Sequence, residues 1–420
     1  MATIVLAYSG GLDTSVLLKK YALAGHRVIA LTLDLGESDG TAGAGANAAL
    51  EAVKAKAVAL GAYDALLVDA KERFIDEFAY PALHANALYE GVYPLSAALS
   101  RPLIAALLVE TAHRYNADAV AHGCTGKGND QVRIELAVRA HDPQLRTLAP
   151  LRDEPLSRPD AMAFAQQRGV PVAHTAAKPY SIDANLWGRS IEAGVLENPW
   201  NAPPEDAYAW TAPPSARPVE AEHVVIDFER GLPAVAGRHG AELVAALNAQ
   251  AGAHGIGRID LIEDRVVGVK SREVYECPGS LTLIAAHKAL ERLVLTRDEL
   301  RLKATLDQKY AELVYDGLWP SPLRTALDAF NTSLAERMTG SVRLRLHQGN
   351  AVCDGTRSPF GLYDETLATY GAGDRFEHDA AAGFIALWGL PLELAARRAP
   401  APIVDPRRDR RVSHPPVPAQ

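Results

Sequence analysis

The chain has 420 residues, 48% hydrophobic and 22% charged, which suits a soluble globular enzyme with room for two domains and their cores. Its formal net charge of −8 argues against a nucleic-acid surface while leaving space for a local basic pocket. Cys124, Cys277 and Cys353 are widely spaced, form no CxxC pattern and read as reduced thiols of a cytoplasmic protein. No charged-then-apolar leader opens the sequence and no apolar stretch approaches membrane-spanning length, so no membrane partner is expected.

The first predicted element is a buried strand at Thr3-Ile4-Val5-Leu6. Ala7-Tyr8-Ser9-Gly10-Gly11-Leu12-Asp13-Thr14-Ser15 follows it, and a helical apolar pattern then runs to Gly25. A strand, a turn with two glycines and several hydroxyls, and a helix start make a phosphate cradle. The glycines bring backbone N–H groups close to an anion and the helix N-terminus adds its dipole. As an ordinary junction, the same stretch would use Asp13 as helix cap. It is not a Walker A loop, which needs a Lys after the glycines, nor a dinucleotide fingerprint, whose third glycine would fall at Thr14.

A second strand is expected over 27–35, a loop from Gly36 to Gly45 and a helix over 47–60. A strand at 65–68 precedes helices over 71–90 and 102–115, the second with Pro102 in its first turn. Strands at 119–121 and 145–148 flank a helix over 130–140. The alternation predicts a doubly wound parallel sheet with helices on both faces, a nucleotide-binding α/β domain. Ser9 and Gly123 both fall at carboxyl ends of its strands, where ligands bind in such sheets.

Residues 122–135, His-Gly-Cys-Thr-Gly-Lys-Gly-Asn-Asp-Gln-Val-Arg-Ile-Glu, form a second constellation between strand and helix. Its glycines allow exposed N–H donors, Lys127 is a point charge suited to a phosphate, and Asn129 is expected as the helix cap. Beyond residue 175 the pattern changes. Residues 175–218 are rich in Pro and Trp, with little periodicity. Strands are expected at 223–228, 258–262, 266–269 and 342–346, with helices near 240–250, 280–316, 321–338 and 378–388, hence a second, α+β domain. Ala399–Gln420, with six prolines and an Arg cluster, is expected to be a disordered, functionally silent tail. His122 and His347 read as structural.

The first loop resembles the PP-loop of ATP pyrophosphatases, and Gly-x-Thr-Gly-Lys-Gly-Asn-Asp-Gln-Val-Arg-x-Glu resembles a hallmark string of the argininosuccinate synthases. The resemblance continues in family order through Asn86–Leu95, Ser181–Ser190, Gly257–Arg265 and Lys270–Glu276. It implies a hydrolase-like adenine-nucleotide domain over 1–172, a synthetase and multimerisation domain over 173–375, and a C-terminal helix at 376–398 that packs on a neighbour in a homotetramer. It implies ATP and Mg²⁺ as cofactors, with Ala7 to Ser15 and Gly123 on ATP. Thr125, Asn129 and Asp130 would hold aspartate, and Tyr93, Asn129, Arg133, Ser181, Ser190, Glu263 and Tyr275 citrulline. The residue types suit these roles. Arg133 can fork onto a carboxylate, Asp130 can pair an ammonium, and Thr125 and Asn129 offer directional hydrogen bonds. Asp13 is open between Mg²⁺ and helix capping.

This chain departs from the family pattern at Ala97, where a Thr or Ser is usual, with Ser96 beside it. It departs again in the longer, Gly/Ala-rich loop after Gly36 and at Ser358–Asp364. Two rival readings are another PP-loop ligase or tRNA-modifying enzyme, sharing only residues 7–15, and a non-catalytic binding protein on the same fold.

Overall fold

The opening apolar run forms strand β1 (Thr3–Ala7), whose Ile4, Val5 and Leu6 are buried on both faces, each side chain stabilising the fold by about 1.5–3 kcal/mol. The computed structural model describes residues 1–36, 44–171 and 180–399. Helix α1 (Leu12–Leu23) follows β1, then β2 (Arg27–Asp34), α2 (Ala44–Leu60), β3 (Asp64–Asp69), α3 (Lys71–Phe74), α4 (Tyr80–His84) and α5 (Ser96–Tyr115). Strand β4 (Ala119–Ala121), α6 (Asp130–His141), β5 (Arg146–Leu148), α7 (Pro150–Asp153) and α8 (Arg158–Gln167) complete this half. The five strands are parallel in the order β3-β2-β1-β4-β5. Val5 and Ile29 pack with Leu99 and Leu103 of α5 on one face. Ile4, Leu6 and Val28 pack with Val16 and Leu17 of α1 and Ala161 of α8 on the other. The order reverses at β1, so the loops after β1 and β4 lie side by side at the carboxyl edge.

The second half begins with a hairpin, β6 (Ser181–Asn185) and β7 (Gly188–Glu192), followed by β8 (Glu222–Glu229), β9 (Leu232–Ala234) and α9 (Gly240–Ala253). Next come β10 (Arg258–Asp264), β11 (Lys270–Glu276), α10 (Pro278–Val294), α11 (Arg297–Tyr315), α12 (Pro322–Ala335), β12 (Gly340–His347) and β13 (Asn350–Arg357). Two antiparallel sheets result, β10-β11-β7-β6 and β13-β12-β8-β9. Everything through Leu362 forms one unit. The remainder is a separate unit containing α13 (Glu365–Ala368) and α14 (His378–Arg398).

Several expectations are corrected. The segment 71–90 is not one helix: Pro81 has no N–H for the carbonyl four residues back, and Ile75–Ala79 widens into a π-turn before α4. Helix α5 starts at Ser96, placing Pro102 inside it, because Leu95 turns left-handed (φ 66°) out of the Tyr89–Tyr93 bridge. Residues 266–269 are a hairpin turn, closed by Arg265 N–H donating to the Val269 carbonyl (2.9 Å), and the strand lies at 270–276. The 280–316 helix is two helices, divided at a Thr296–Glu299 capping box. Strands β6, β7, β9 and β13 were not anticipated. The expected loop lies largely outside the described residues, as do the boundary at 172–173 and the tail beyond Ala399. Helix α14 is 21 residues long and apolar enough by length and composition to cross a membrane, contrary to the expectation of no such stretch.

Candidate active site

The β1–α1 loop is held open by its own side chains. Gly10 has φ 75°, and a Cβ there would lie 2.9 Å from Val53 Cγ1, so backbone and α2 meet at a distance that only glycine permits. Lys56 Nζ donates to the Gly10 carbonyl (2.7 Å), drawing that oxygen back. Ser9 and Thr14 hydroxyls meet at 3.1 Å. Tyr8 and Ser15 lie beneath the loop, their hydroxyls 3.1 Å apart, and Ser15 also donates to the Gly10 carbonyl (3.3 Å). Ser9, Gly11 and Asp13 are exposed, Leu12 is half-buried, and Ala7 ends β1. Gly11, not Asp13, occupies the N-cap position, which removes the capping role from Asp13 and leaves its carboxylate outward in the first turn.

The β4–α6 loop lies alongside. A Cβ on Gly123 would come 3.0 Å from Thr14 Cγ2, so the two loops touch. Gln131 Nε2 donates to the carbonyls of Gly126 (2.7 Å) and Gly128 (3.3 Å), tethering those oxygens to α6. Thr125 and Lys127 are exposed on this loop. Asn129 occupies the expected N-cap position of α6, but its side chain makes no capping bond. Its Oδ1 accepts the Val266 N–H (2.9 Å) and its Nδ2 donates to Tyr315 Oη (2.9 Å), partners from the β10–β11 turn and α11. Arg265 reinforces that docking, donating to the Lys127 carbonyl (3.3 Å) and pairing Glu192 (2.6 Å) and Glu273 (2.7 Å).

Beside these loops is a basin of charges and phenols. Asp130 accepts from Arg101 (2.7 Å) and Arg133 (3.0 Å), and Arg101 also pairs with Asp183 of β6. Burial opposes the charge on Asp130, but Arg101 and then Arg133 outweigh it and hold the carboxyl well below the usual range. Arg133 donates Nε to the Tyr315 carbonyl (2.9 Å), while its buried Nη2 has no hydrogen-bond partner among the described residues. An orphaned guanidinium donor beside an ionised carboxylate suits the two ends of an amino acid. Glu263, buried in β10, accepts from Tyr275 Oη (2.7 Å) and Tyr315 Oη (2.6 Å). Burial pushes its pKa up, against these two donors and Arg133. Tyr275 stacks on Tyr93 with centroids 3.9 Å apart, and Tyr93 Oη accepts the Ala97 N–H (3.0 Å) and lies 3.3 Å from Ser96 Oγ.

Thus Tyr93, Asn129, Asp130, Arg133, Glu263 and Tyr275 form one connected network. Ser190 joins it by register, opposite Tyr275 on β11 and Asp183 on β6. Ser181 starts β6, exposed and opposite Glu192. The sequence reading missed Arg101, Asp183, Arg265 and Tyr315. Asp183 and Arg265 lie within quoted strings, whereas Arg101 and Tyr315 are single residues in helices with no local signal. His122 is buried beside Glu135 (3.4 Å) and accepts the Cys124 N–H (3.2 Å), in keeping with a structural role. A cavity of about 850 Å³ opens beyond Tyr89, lined by Lys288, Glu291, Lys303 and Asp307, and includes neither glycine loop.

Residues 3–171 match the family model described as the arginosuccinate synthase N-terminal HUP domain, and residues 180–395 that of the arginosuccinate synthase C-terminal domain. The argininosuccinate synthase of Bacillus pumilus is 52% identical over 394 residues, covering 93% of this chain and 96% of that protein. The argininosuccinate synthase of a Synechococcus strain, JA-2-3B'a(2-13), is 51% identical over 401 residues, covering 94% and 98%. That of Gloeobacter violaceus is 50% identical over 399 residues, covering 94% and 98%. Both halves of the chain, with the glycine loops and the basin they carry, belong to the argininosuccinate synthase family.

Proposed function

We propose that this protein ligates L-citrulline to L-aspartate, using ATP and releasing AMP and pyrophosphate by way of a citrullyl-adenylate. The observation that carries the reading is the juxtaposition of the two glycine loops with the orphaned donor of Arg133 and the Asp130 and Glu263 carboxylates. The ureido oxygen of citrulline attacks the α-phosphorus, the bond from that phosphorus to the bridging oxygen breaks, and pyrophosphate leaves. The amine of aspartate then attacks the ureido carbon and the carbon–oxygen bond to AMP breaks. Adenylation is needed because urea oxygen is a poor leaving group.

Residues 7–15 and Gly123 receive the nucleotide phosphates through backbone N–H groups and the α1 N-terminus. Thr125, Asn129 and Asp130 receive aspartate. Tyr93, Asn129, Arg133, Ser181, Ser190, Glu263 and Tyr275 receive citrulline. The protein's contribution is placement and fixed charge, with no side chain assigned as general base. Mg²⁺ arriving with the nucleotide would be held by its phosphates and would neutralise their charge. Asp13, outward beside the loop, is the carboxylate offered to it, and no cluster of three or more metal-binding side chains is found among the described residues.

We assign the same division of labour to the domains: nucleotide binding to 1–172, synthetase and multimerisation to 173–375, and assembly to 376–398. A cytoplasmic homotetramer fits α14, which exposes Phe384, Ile385, Leu387, Trp388 and Leu392 along its length. The test is product analysis. AMP and pyrophosphate formed over many turnovers only with both citrulline and aspartate support the reading, whereas ADP and phosphate, or no dependence on citrulline, overturn it.

A further inference from the structure

Tyr315 is the last residue of α11, it belongs to no motif, and its side chain is buried. Its ring stacks on Tyr89 (centroids 3.5 Å apart, 4° between planes), and the Arg133 guanidinium lies 4.7 Å from its centroid. The direction of its hydrogen bonds follows from the partners. Asn129 Oδ1 must be the oxygen, because a backbone N–H, that of Val266, can only donate to it. Asn129 Nδ2 therefore donates to Tyr315 Oη, and Tyr315 must pass its own proton toward Glu263 Oε1 at 2.6 Å. A polarised chain, amide to phenol to carboxylate, runs from the β4–α6 loop to β10. The Tyr315 carbonyl meanwhile accepts Arg133 Nε at 2.9 Å. Packing at a helix end needs the ring alone, and satisfying a phenol needs one partner. Here the hydroxyl serves both sides, and two residues assigned to substrate, Asn129 and Glu263, bond to it.

We infer that Tyr315 is a positioning residue that couples the aspartate-holding and citrulline-holding sides of the site, through Asn129 on one and Glu263 on the other. This rests on the substrate assignments above. Losing the hydroxyl leaves Glu263 with one phenol donor and frees the Asn129 amide to turn, while the stacked ring stays. Glu263 is also faced by Tyr275, Tyr89, Tyr93, Arg133, Arg265 and Glu273. Of these only Tyr275 remains as a direct side-chain donor, so removing Tyr315's proton makes the carboxylate easier to protonate.

The experiment is steady-state kinetics of the full chain and of Tyr315→Phe, each substrate varied in turn and citrulline also across pH. The expected result is KM raised about three- to tenfold for both aspartate and citrulline. KM for ATP should stay within about twofold, and the acid limb of kcat/KM for citrulline should move up by about half a pH unit or more. In Asn129→Ala the added Tyr315→Phe change should cost aspartate binding little more, since the two act as one unit. A loss confined to one amino acid, an equal loss for all three substrates, or unchanged kinetics would overturn the inference. So would loss of the cooperative thermal transition in Tyr315→Phe, which would give the hydroxyl a role in the fold. Absence of citrulline- and aspartate-dependent turnover in the unaltered chain would instead defeat the substrate assignments themselves.

Discussion

The glycine-loop side of the site and the amino-acid basin beside it are built in opposite ways. The first uses the backbone of two contiguous stretches on neighbouring strands, with side chains such as Lys56, Ser15 and Gln131 holding carbonyls aside. The second gathers side chains from β6, β7, β10, β11, three helices and the Tyr89–Tyr93 turn. Phosphate recognition needs N–H groups at a strand end, and a short loop supplies them. Recognising an amino acid needs opposite charges held apart in a dry place, and each buried charge must then be paired or hydrogen-bonded. Distant segments therefore have to converge. One side should fail when its backbone is bent, and the other when a single polar atom is removed.

Gly10→Ala should break the first side most severely. The left-handed backbone (φ 75°) and the 2.9 Å approach to Val53 force the loop to move, and a displacement near 1 Å costs about 10²-fold in turnover. Adding Val53→Ala should restore only part, since the strained φ remains. Kinetics with ATP varied, alongside calorimetric titration of citrulline, separate a loop defect from general damage.

Asp130→Ala should reduce ligation about 10²-fold by removing the carboxylate assigned to the aspartate ammonium, while citrulline-dependent pyrophosphate exchange survives in part. Equal loss of both half-reactions would dissolve the distinction between an aspartate side and a citrulline side.

The basin also stores an electrostatic cost. Burial, then the neighbouring Glu192 carboxylate, push Glu273 up to about 8 against the pull of Arg265. A carboxyl whose folded pKa lies above its unfolded value of about 4.3 binds its proton more tightly when folded. Stability is therefore lost as pH rises from about 4.3 to about 8, the folded value. Glu273→Gln should flatten that slope, raising Tm at pH near 8 on the order of 2 °C relative to the unaltered chain and far less at pH near 5. Parallel Tm–pH curves would remove Glu273 from the account.

The smallest effect is expected at Ala97, whose backbone N–H holds Tyr93 while its side chain is half-buried. Ala97→Ser should lower KM for citrulline about two- to tenfold, the worth of one neutral hydrogen bond, leaving ATP and aspartate nearly unchanged. Kinetics with citrulline varied would show whether position 97 faces that substrate at all.

These contrasts also explain what could be read in advance. Strand β1, its loop and α1 were legible because apolar run, glycines and helix pattern are adjacent in the chain, and the parallel sheet followed from the repeat of such units. The break at Leu295–Thr296 was signalled by a Thr-x-x-Glu box that the longer apolar pattern masked. The β6–β7 hairpin was hidden because Trp187 at its turn is buried by tertiary packing, which no local period reveals. In the basin, the strings that carry most of its residues were found, although Asp183 and Arg265 within them were passed over, and Arg101 and Tyr315 lay in no string at all. Their importance comes from what the fold brings to them across more than 25 and 50 residues, respectively.

The claim that the glycine loops and the basin serve one adenylation is tested most directly by an isotope. With citrulline carrying ¹⁸O in its ureido group, attack by that oxygen on the α-phosphorus predicts ¹⁸O in the phosphate of the released AMP, one atom per argininosuccinate formed. AMP without the label, or nucleotide released as ADP, would contradict the account.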